Sequence, residues 1–423
     1  MIALLACSST LFAWGTKKTA KTDPNAPVTL TVWCWDPTFN IYAMNEAAKV
    51  YNRTKPNVKI NVVETPWADL QQKLITSLSA NRTDSLPDII LCQDNAIQKN
   101  LMNYPKAFLP VNGKVDLSKF AQFKVGYGEI NKKNYSVPFD NGATCTFLRR
   151  DIIEKAGLKV EDFNNITWDR FLELGKIVKA KTGTALISYV GNEPDLIMIM
   201  LQSAGTWMFD QDGNPYLSNN DVLKKAVSIY AEMIKTGVCL TVTDWNAYIA
   251  SINNGTVASA INGCWLVGSI SAVKEQAGDW TIVNTPKLSN VKNAVNYSNQ
   301  GGSSWMVMAN SKNPDVATDF LNKTFAGSKE LYNTILPSSG AIATWAPAAD
   351  ADAYKQPVAF FGNQKIYIDI VEYSKHIPQV KYGVFNYEAR DAVGVAMTKI
   401  IAGTSIDDAL KEAQKNVEFQ MGL

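Results

Sequence analysis

The sequence has few of the residues on which catalytic and metal sites depend. It contains one histidine, His376, and its six cysteines include no Cys-x-x-Cys pair, so neither a zinc site nor a redox dithiol is supported. The motifs GxxxxGKS/T, GxGxxG, HExxH and GxSxG, which mark phosphate, dinucleotide, zinc and serine chemistry, do not occur. We expect no cofactor and no bound metal, and this scarcity favours a binding protein over an enzyme.

A strong charge of one sign and a long apolar run are also missing. The 423 residues carry 41 Lys and Arg against 39 Asp and Glu, a net charge of +2, so nucleic acid is not an expected partner. The nearest candidate for a membrane span, 196–209, is interrupted by Gln202, Ser203 and Gly205, whereas a membrane-spanning helix needs roughly 18 apolar residues. The folded part is therefore not expected to lie within a bilayer.

The first residues form a short apolar segment that ends in a cysteine. Residues 1–7 read MIALLAC, which resembles the lipoprotein box of bacteria, where the cysteine carries acyl chains. Residues 16–27 are polar and include two prolines, a composition typical of a tether. We interpret residues 1–27 as a lipoprotein signal remnant and tether, with Cys7 as the lipid anchor.

The remaining cysteines are predicted to be structural. Most of them lie in apolar, strand-like surroundings, where a free cysteine behaves as a small buried hydrophobe. These predicted core thiols are Cys34, Cys92, Cys145, Cys239 and Cys264.

From Val28 onward, strand and helix patterns alternate. The alternating segments are 28–35, 42–52, 58–63, 67–78 and 88–91. Helices of this length between strands predict a parallel sheet with right-handed crossovers, in which ligands lie at the carboxyl ends of the strands. The loops after Trp35 and Leu91 are therefore expected to face a cleft.

Three local signals predict particular elements further along the chain. Thr167 is a predicted N-cap of a helix that begins with Trp168, which is expected in the core. The Asp-Gly pair at 212–213 predicts a hairpin turn. Ser405 precedes an amphipathic pattern that predicts a closing helix over 405–419.

Several phrases of the sequence, taken together and in order, carry a family resemblance. They are LTVWCWD (30–36), LPDIILCQD (86–94), YSVPFDN (135–141), RDIIEKAG (150–157), AINGCW (260–265) and the closing helix from Ser405. With them, the chain resembles the extracellular sugar-binding proteins of bacterial ABC transporters, family 1, the maltose-binding-protein-like group. The resemblance covers nearly everything from residue 28 to the end.

The resemblance implies an α/β fold of the type II periplasmic-binding-protein class. Its two lobes are each expected to contain a mainly parallel sheet flanked by helices, and crossing strands form the hinge. On this basis we place lobe 1 at 28–138 plus 302–325 and lobe 2 at 139–300 plus 326–423. The crossings are expected near Pro138, Gly301 and Phe325.

The resemblance also implies a function. The protein is expected to be the substrate-binding component of an ABC importer, which captures a mono- or oligosaccharide between its lobes and delivers it to the membrane permease. The implied partners are a carbohydrate ligand and the permease subunits, and contact with the membrane is through the lipid anchor only. We expect a monomer outside the cytoplasm, at the cell surface or in the periplasm, and no enzymatic activity.

Residues that suit a sugar stand at positions that the family uses. A sugar ring has two apolar faces and a belt of hydroxyls, so flat aromatic rings and planar polar groups bind it. The candidate ligand-binding residues are Trp35, Asp36, Asp94, Asp140, Glu193, Asp195, Trp207, Asn262, Trp265, Gly302, Ser303, Trp345, Tyr382, Asn386 and Arg390. Among them, Trp265 lies in a phrase that resembles the family's stacking tryptophan.

Some of these residues have a second interpretation. Asp94 could cap a helix that starts at Asn95, Asp140 could be a hydrogen-bond acceptor of the hinge, and Trp207 could belong to the core. Asn386 stands where the family's maltodextrin binders carry a stacking tryptophan, which argues against maltodextrin as the ligand. Two alternative functions stay open: a surface glycoside hydrolase, which needs two suitably spaced carboxylates, and the binding of a non-sugar solute.

Overall fold

The computed structural model describes residues 26–423, in which strands and helices alternate. The strands are β1 (Val28–Cys34), β2 (Val58–Glu64), β3 (Ile89–Gln93), β4 (Glu129–Ile130), β5 (Lys133–Asn134), β6 (Val137–Pro138), β7 (Thr144–Arg149), β8 (Ile187–Val190), β9 (Cys239–Val242), β10 (Ser259–Gly263), β11 (Trp280–Val283) and β12 (Ser303–Val307). The helices are α1 (Asn40–Asn52), α2 (Trp67–Ser79), α3 (Asp94–Asn103), α4 (Gln122–Tyr127), α5 (Arg150–Lys155), α6 (Trp168–Thr182), α7 (Asp195–Ser203), α8 (Asp221–Lys235), α9 (Trp245–Asn253), α10 (Leu266–Ile270), α11 (Pro314–Lys323), α12 (Lys329–Ser339), α13 (Asp352–Lys355), α14 (Ile366–Ser374), α15 (Asn386–Ile401) and α16 (Ile406–Met421). The predicted anchor Cys7 lies outside the described residues.

The first sheet has five strands in the order β2-β1-β3-β12-β6. Strand β1 pairs in parallel with β2 and β3, whereas β12 is antiparallel to both β3 and β6. The apolar run IILC of β3 is buried throughout, as expected for a strand covered on both faces. Because β1 and β3 run in the same direction, their carboxyl ends meet at one edge of the sheet, which confirms the predicted geometry of the loops that follow them.

The second lobe differs from the parallel sheet that the sequence predicts. Strand β7 lies between β10 and β11 and is antiparallel to both, and only β8 and β9 form a parallel pair. The reason is the direction of the crossings. Strand β7 leads the chain away from the crossing near Pro138, while β10 and β11 lead it back toward the same region. The two-lobed α/β class is confirmed, and the prediction of a mainly parallel second sheet is wrong.

Three segments of chain run side by side between the sheets. Asp140 forms an antiparallel bridge with Ala343, and Ala143 forms one with Asn299. The amide of Asn141 donates to the carbonyl of Ile342 at 2.8 Å. These pairings tie the crossing segments to one another.

The lobe boundaries drawn from the sequence stay a prediction, and one packing contact bears on them. Helix α12, which follows the predicted crossing at Phe325, packs against α1 of the first sheet. Arg53, at the end of α1, pairs with Glu330 at 2.6 Å. We therefore propose that the third crossing lies later in the chain, near Ala343.

The core is apolar and contains the cysteines as free thiols. All five cysteines among the described residues are free and buried, which confirms the prediction of core thiols. Burial raises the pKa of Cys34 to about 12. None of the helices within residues 26–423 is both long and apolar enough to cross a membrane.

Candidate functional site

A cavity of about 590 Å³ lies where the crossing segments meet the ends of β1 and β3. Ten of the fifteen predicted ligand-binding residues line it, namely Trp35, Asp36, Asp140, Asp195, Trp207, Trp265, Gly302, Ser303, Tyr382 and Arg390. The other five predicted residues, Asp94, Glu193, Asn262, Trp345 and Asn386, are not part of the lining. We refer to this space as the main cavity.

The end of β1 is shaped by one amide side chain. Asn40, in the first turn of α1, accepts hydrogen bonds from the backbone amides of Trp35 and Asp36, both at 3.0 Å. The carboxylate of Asp36 accepts from the amides of Thr38 and Phe39 at 2.9 and 3.0 Å. Asp36 therefore closes the turn with one oxygen while it lines the cavity, and the Trp35 ring is held at the cavity wall.

Asp140 joins two crossing segments beneath the main cavity. Its Oδ1 accepts from the amide of Ser303 at 2.8 Å and from the hydroxyl of the same residue at 2.5 Å. Asp140 is thus a hydrogen-bond acceptor of the hinge, as one of its two interpretations proposed, and it also lies on the cavity lining.

Asp94 belongs to a set of buried polar groups that we call the buried charge cluster, formed by Asp94, Lys124 and Ser304. The Lys124 ammonium forms an ion pair with Asp94 and also donates to the carbonyl of Ser303 at 3.1 Å. The Ser304 hydroxyl donates to the other oxygen of Asp94 at 2.8 Å. Lys124 and Asp94 are 0% and 1% exposed.

The placement of Asp94 differs from both interpretations of its sequence position. It does not reach the main cavity, and α3 has no capping hydrogen bond from a side chain. Burial raises the pKa of Asp94 to about 6, although Lys124 favours the ionised form. Gly302 covers the cluster: a Cβ there would lie 2.7 Å from the Lys124 Nζ and 2.8 Å from the Asp94 Oδ2. Gly302 is therefore needed for close approach to these charges.

A second group of charges, which we call the cleft charge cluster, lies at the edge of the cavity and consists of Glu193, Asp195 and Arg390; Asp195 and Arg390 line the cavity. Arg390 Nη2 lies 3.4 Å from a carboxylate oxygen of each acid. Asp195 is the first residue of α7, and burial raises its pKa even though Arg390 favours the ionised form. Arg390 is 25% exposed at its side chain and forms part of the cavity lining.

The aromatic wall of the main cavity is fixed by hydrogen bonds. Trp207 Nε1 donates to Asn386 Oδ1 at 2.8 Å, and its ring meets Tyr382 edge-on with centroids 4.8 Å apart. Tyr382 stacks on Tyr127 at 4.6 Å, and its hydroxyl donates to that of Tyr127 at 2.9 Å. Asn386 therefore positions a cavity-lining ring, and it is itself buried.

Trp265 also lines the main cavity and follows β10 as predicted. Its Nε1 donates to the carbonyl of Gln300 at 2.9 Å, which orients the indole along the second crossing segment. Asn262, three residues earlier, is buried: its amide donates to the hydroxyl of Tyr248 at 3.2 Å. Asn262 lies within β10 and Trp265 just before α10, and of the two only Trp265 lines the cavity.

The sequence analysis includes Trp345 among the candidate ligand-binding residues, but the structure places it away from the main cavity. Its ring is 6% exposed and stacks on Tyr332 with centroids 6.0 Å apart. The backbone of Trp345 forms a bridge with Phe120. The residue is therefore part of the core, because the loop that holds it is covered by α12 and by the first lobe.

The sequence analysis missed a set of amide side chains. They line the main cavity beside predicted residues and are Asn40, Gln93, Asn95, Asn299 and Gln300. Four of them had an available signal, because Gln93 and Asn95 lie at the end of β3 and Asn299 and Gln300 lie beside the predicted crossing near Gly301; Asn40, in the first turn of α1, had none. Two of them also meet α15: the Tyr387 hydroxyl donates to Asn95 Oδ1 at 2.9 Å and to Gln93 Oε1 at 3.1 Å.

Within residues 26–423 no three acidic, histidine or cysteine side chains come together as a metal site would require. What the fold presents instead is a cavity at the crossing of two α/β lobes, lined by aromatic rings, amides and one guanidinium. This arrangement defines a two-lobed binding protein, whose lobes hold a ligand between them.

Comparisons with known proteins identify the family. Residues 46–362 match the model of the bacterial extracellular solute-binding proteins. A lactose-binding protein of Rhizobium radiobacter is 39% identical over 392 residues, which are 93% of each chain. An arabinooligosaccharide-binding protein of Bacillus subtilis strain 168 is 24% identical over 72% of each chain. The chain belongs to the family of bacterial extracellular solute-binding proteins.

A solved structure agrees in fold. The galacto-N-biose-/lacto-N-biose I-binding protein of the ABC transporter from Bifidobacterium longum superposes with a TM-score of 0.75, covering 94% of this chain and 98% of that one. At 18% identity the likeness concerns the fold alone.

Proposed function

We propose that the protein is the substrate-binding component of a sugar importer, with a short oligosaccharide held in the main cavity. The composition of the lining carries this proposal. Trp35, Trp207, Trp265 and Tyr382 supply aromatic rings for the apolar faces of a sugar, and amides with Arg390 supply hydrogen bonds for its hydroxyls. The volume falls within the roughly 300–1,000 Å³ of small-molecule sites.

The relatives narrow the choice of sugar. We propose a disaccharide of the lactose type as the first candidate, since the relative that is 39% identical along 93% of the chain is a lactose-binding protein. Arabino-oligosaccharides are the second candidate, from a more distant relative. The hydrogen bond from Trp207 to Asn386 fits a ligand other than maltodextrin, because Asn386 anchors another ring and does not stack itself.

Closure of the lobes on the ligand would follow from the position of these groups. Trp35 comes from the first sheet and Trp265 from the second lobe, so one sugar can contact both. A ligand that bridges them favours the closed arrangement by contacts that an open cleft lacks. Two side-chain contacts also join α3 to α15. The Tyr387 hydroxyl donates to Asn95, and Lys99 forms an ion pair with Glu388 at 2.7 Å.

The absence of enzymatic activity is also a proposal. A glycoside hydrolase needs two carboxylates free to act on the substrate, whereas each acid on the lining is engaged: Asp36 by its turn, Asp140 by Ser303 and Asp195 by Arg390. Delivery to a permease, an extracytoplasmic location with Cys7 as lipid anchor and a monomeric state are proposed with it.

The test is a thermal-shift screen of the purified protein against lactose, arabino-oligosaccharides, maltose, amines and peptides. A ligand that binds the native state alone raises the melting temperature. We expect a rise with lactose or an arabino-oligosaccharide and an unchanged sugar after overnight incubation. A response to amines or peptides only, or breakdown of the sugar, would refute the proposal.

Trp265→Ala probes the site itself. Loss of this ring should weaken binding of the sugar found in the screen by roughly 1–3 kcal/mol, the scale of a lost aromatic contact, as measured by isothermal titration calorimetry. Trp33→Ala is the matched control, because Trp33 is also a partly buried indole and does not line the main cavity. Equal losses in both variants would contradict the assignment of Trp265.

A further inference from the structure

Trp245, the first residue of α9, is the one exposed tryptophan within residues 26–423, and it is 45% exposed. Its ring lies against that of Trp265, with centroids 5.7 Å apart and planes inclined by 47°. Trp265 lines the main cavity, whereas Trp245 does not. One indole of the pair thus belongs to the proposed binding site, and the other contacts it from outside the lining.

The position of Trp245 is fixed by its own helix and by the neighbouring strand. The side chain of Asp244 caps the start of α9. The Trp245 ring also packs against Tyr248, one turn along the helix, with centroids 5.2 Å apart. Tyr248 is 2% exposed, and its hydroxyl accepts a hydrogen bond from Asn262 of β10. Trp245 therefore rests on an anchored ring and offers Trp265 a fixed surface.

The indole of Trp265 is tied to the backbone at its nitrogen. Its Nε1 donates to the carbonyl of Gln300 at 2.9 Å. Two glycines leave room for this edge of the ring: a Cβ at Gly263 would collide with it, and a Cβ at Gly301 would lie 3.3 Å from Nε1. A hydrogen bond at one atom leaves the tilt of the ring free. The contact with Trp245 restrains that tilt, because aromatic pairs favour particular inclined arrangements.

From these contacts we infer that Trp245 is a positioning residue of the sugar site. It holds the Trp265 ring in one orientation before the ligand arrives, so that less side-chain freedom is lost on binding. It acts through Trp265 and does not itself contact the sugar. The inference rests on the proposed function and deepens it, because it assigns part of the affinity to a residue outside the cavity lining.

The test is a double-mutant cycle in which calorimetry measures the affinities for lactose and for arabinotriose. Trp245→Ala should weaken binding of the recognised sugar about three- to tenfold, the scale of one aromatic pair. In the Trp265→Ala background the same change should cost less than about twofold, because the ring that Trp245 positions is already absent. Trp245→Phe keeps a ring at this place and should stay within about twofold of the parent.

Phe419→Ala is the matched control, because Phe419 in α16 is an 82% exposed ring outside the cavity lining, and its loss should leave binding unchanged. An equal loss from Trp245→Ala with and without Trp265 would show that Trp245 contacts the sugar directly. That result, or an unchanged affinity in Trp245→Ala, would overturn the inference and leave the proposed function standing. If the parent binds neither sugar, both proposals fail.

A second measurement needs no ligand. In NMR spectra of the ligand-free protein, the indole N–H signal of Trp265 is identified by its loss in Trp265→Phe. Its exchange with solvent deuterium should be about threefold or more faster in Trp245→Ala than in the parent, because a ring that moves more freely breaks its bond to Gln300 more often. Trp245→Phe should restore the slower exchange. Equal exchange rates in the parent and in Trp245→Ala would contradict the inference.

Discussion

In both charge clusters an aspartate stands at the first residue of a helix and pairs with a base from elsewhere in the chain. Asp94 begins α3 and pairs with Lys124, and Asp195 begins α7 and pairs with Arg390. The difference is access: Lys124 is 0% exposed at its side chain and Arg390 is 25% exposed. The covered cluster ties α3 and α4 to the crossing segment at 303–304, whereas the open cluster contributes Asp195 and Arg390 to the cavity lining. The same local pattern thus supports the fold in one place and the site in the other.

The largest loss of unfolding free energy is expected when the buried charge cluster loses its basic residue, Lys124. Lys124→Met leaves Asp94 without its cation at a buried position, which costs about 3–5 kcal/mol of unfolding free energy. Urea denaturation at pH 7 measures the loss. Lys99→Met removes the base of a partly exposed ion pair and is the control, with an expected cost below about 1 kcal/mol. Similar costs for the two variants would remove the distinction between covered and open pairs.

The pH dependence of stability tests the same cluster. Burial raises the pKa of Asp94 to about 6 in the folded protein, against about 3.9 in an unfolded chain. The folded state therefore binds this proton more tightly than the unfolded state does. The resulting contribution of Asp94 to the free energy of unfolding is complete below about pH 4 and is lost as the pH rises through 6. At about 1.4 kcal/mol per pKa unit the loss approaches roughly 3 kcal/mol.

The matching measurement is urea denaturation of the parent and of Asp94→Asn at pH 4, 5, 6 and 7. Groups elsewhere titrate in both proteins, so the difference between the two curves isolates Asp94. The variant should lose less stability than the parent between pH 4 and pH 7. Parallel curves would show that the Asp94 pKa is not raised.

A substitution in the cleft charge cluster should weaken ligand binding more than it lowers stability. Arg390→Ala removes a charged side chain from the cavity lining, and we expect the affinity for the recognised sugar to fall by about 1.5–3 kcal/mol. Calorimetry measures the affinity, and a thermal melt should show a smaller loss of stability than for Lys124→Met. Arg53→Ala, which breaks the exposed pair with Glu330, should leave binding unchanged. An Arg390→Ala protein with normal affinity would place the cluster outside the ligand's reach.

Elements with complete local signals were predictable from the sequence. The Thr167 hydroxyl accepts from the amide of Arg170 at 3.3 Å and begins α6, and Ser405 caps α16 in the same way. The turn at 212–213 closes a bridge between Phe209 and Pro215, with Gly213 at a φ of 87°. These predictions are confirmed because a cap or a tight turn depends on residues within four positions of one another.

The direction of a side chain within the assembled lobes was not predictable in the same way. Trp345 and Asn262 lie in loops and strands near the cleft, yet both point into the core, because neighbours distant in sequence cover them: Tyr332 and Tyr248. The antiparallel second sheet was missed for the same reason, since strand direction depends on the path between crossings. Which predicted residues contact a ligand stays a prediction.

The five buried cysteines of residues 26–423 can report local unfolding of the protein. Cys34 and Cys92 lie in the first sheet, Cys145 in the central strand of the second lobe, Cys239 in β9 and Cys264 directly after β10. A thiol reagent reacts with the thiolate of an accessible cysteine, so each of these positions is protected until its own segment opens. Mass spectrometry after pulsed alkylation would therefore measure, without any substitution in the chain, which lobe exposes its cysteines first. The same measurement with ligand present would show which lobe the ligand protects from opening.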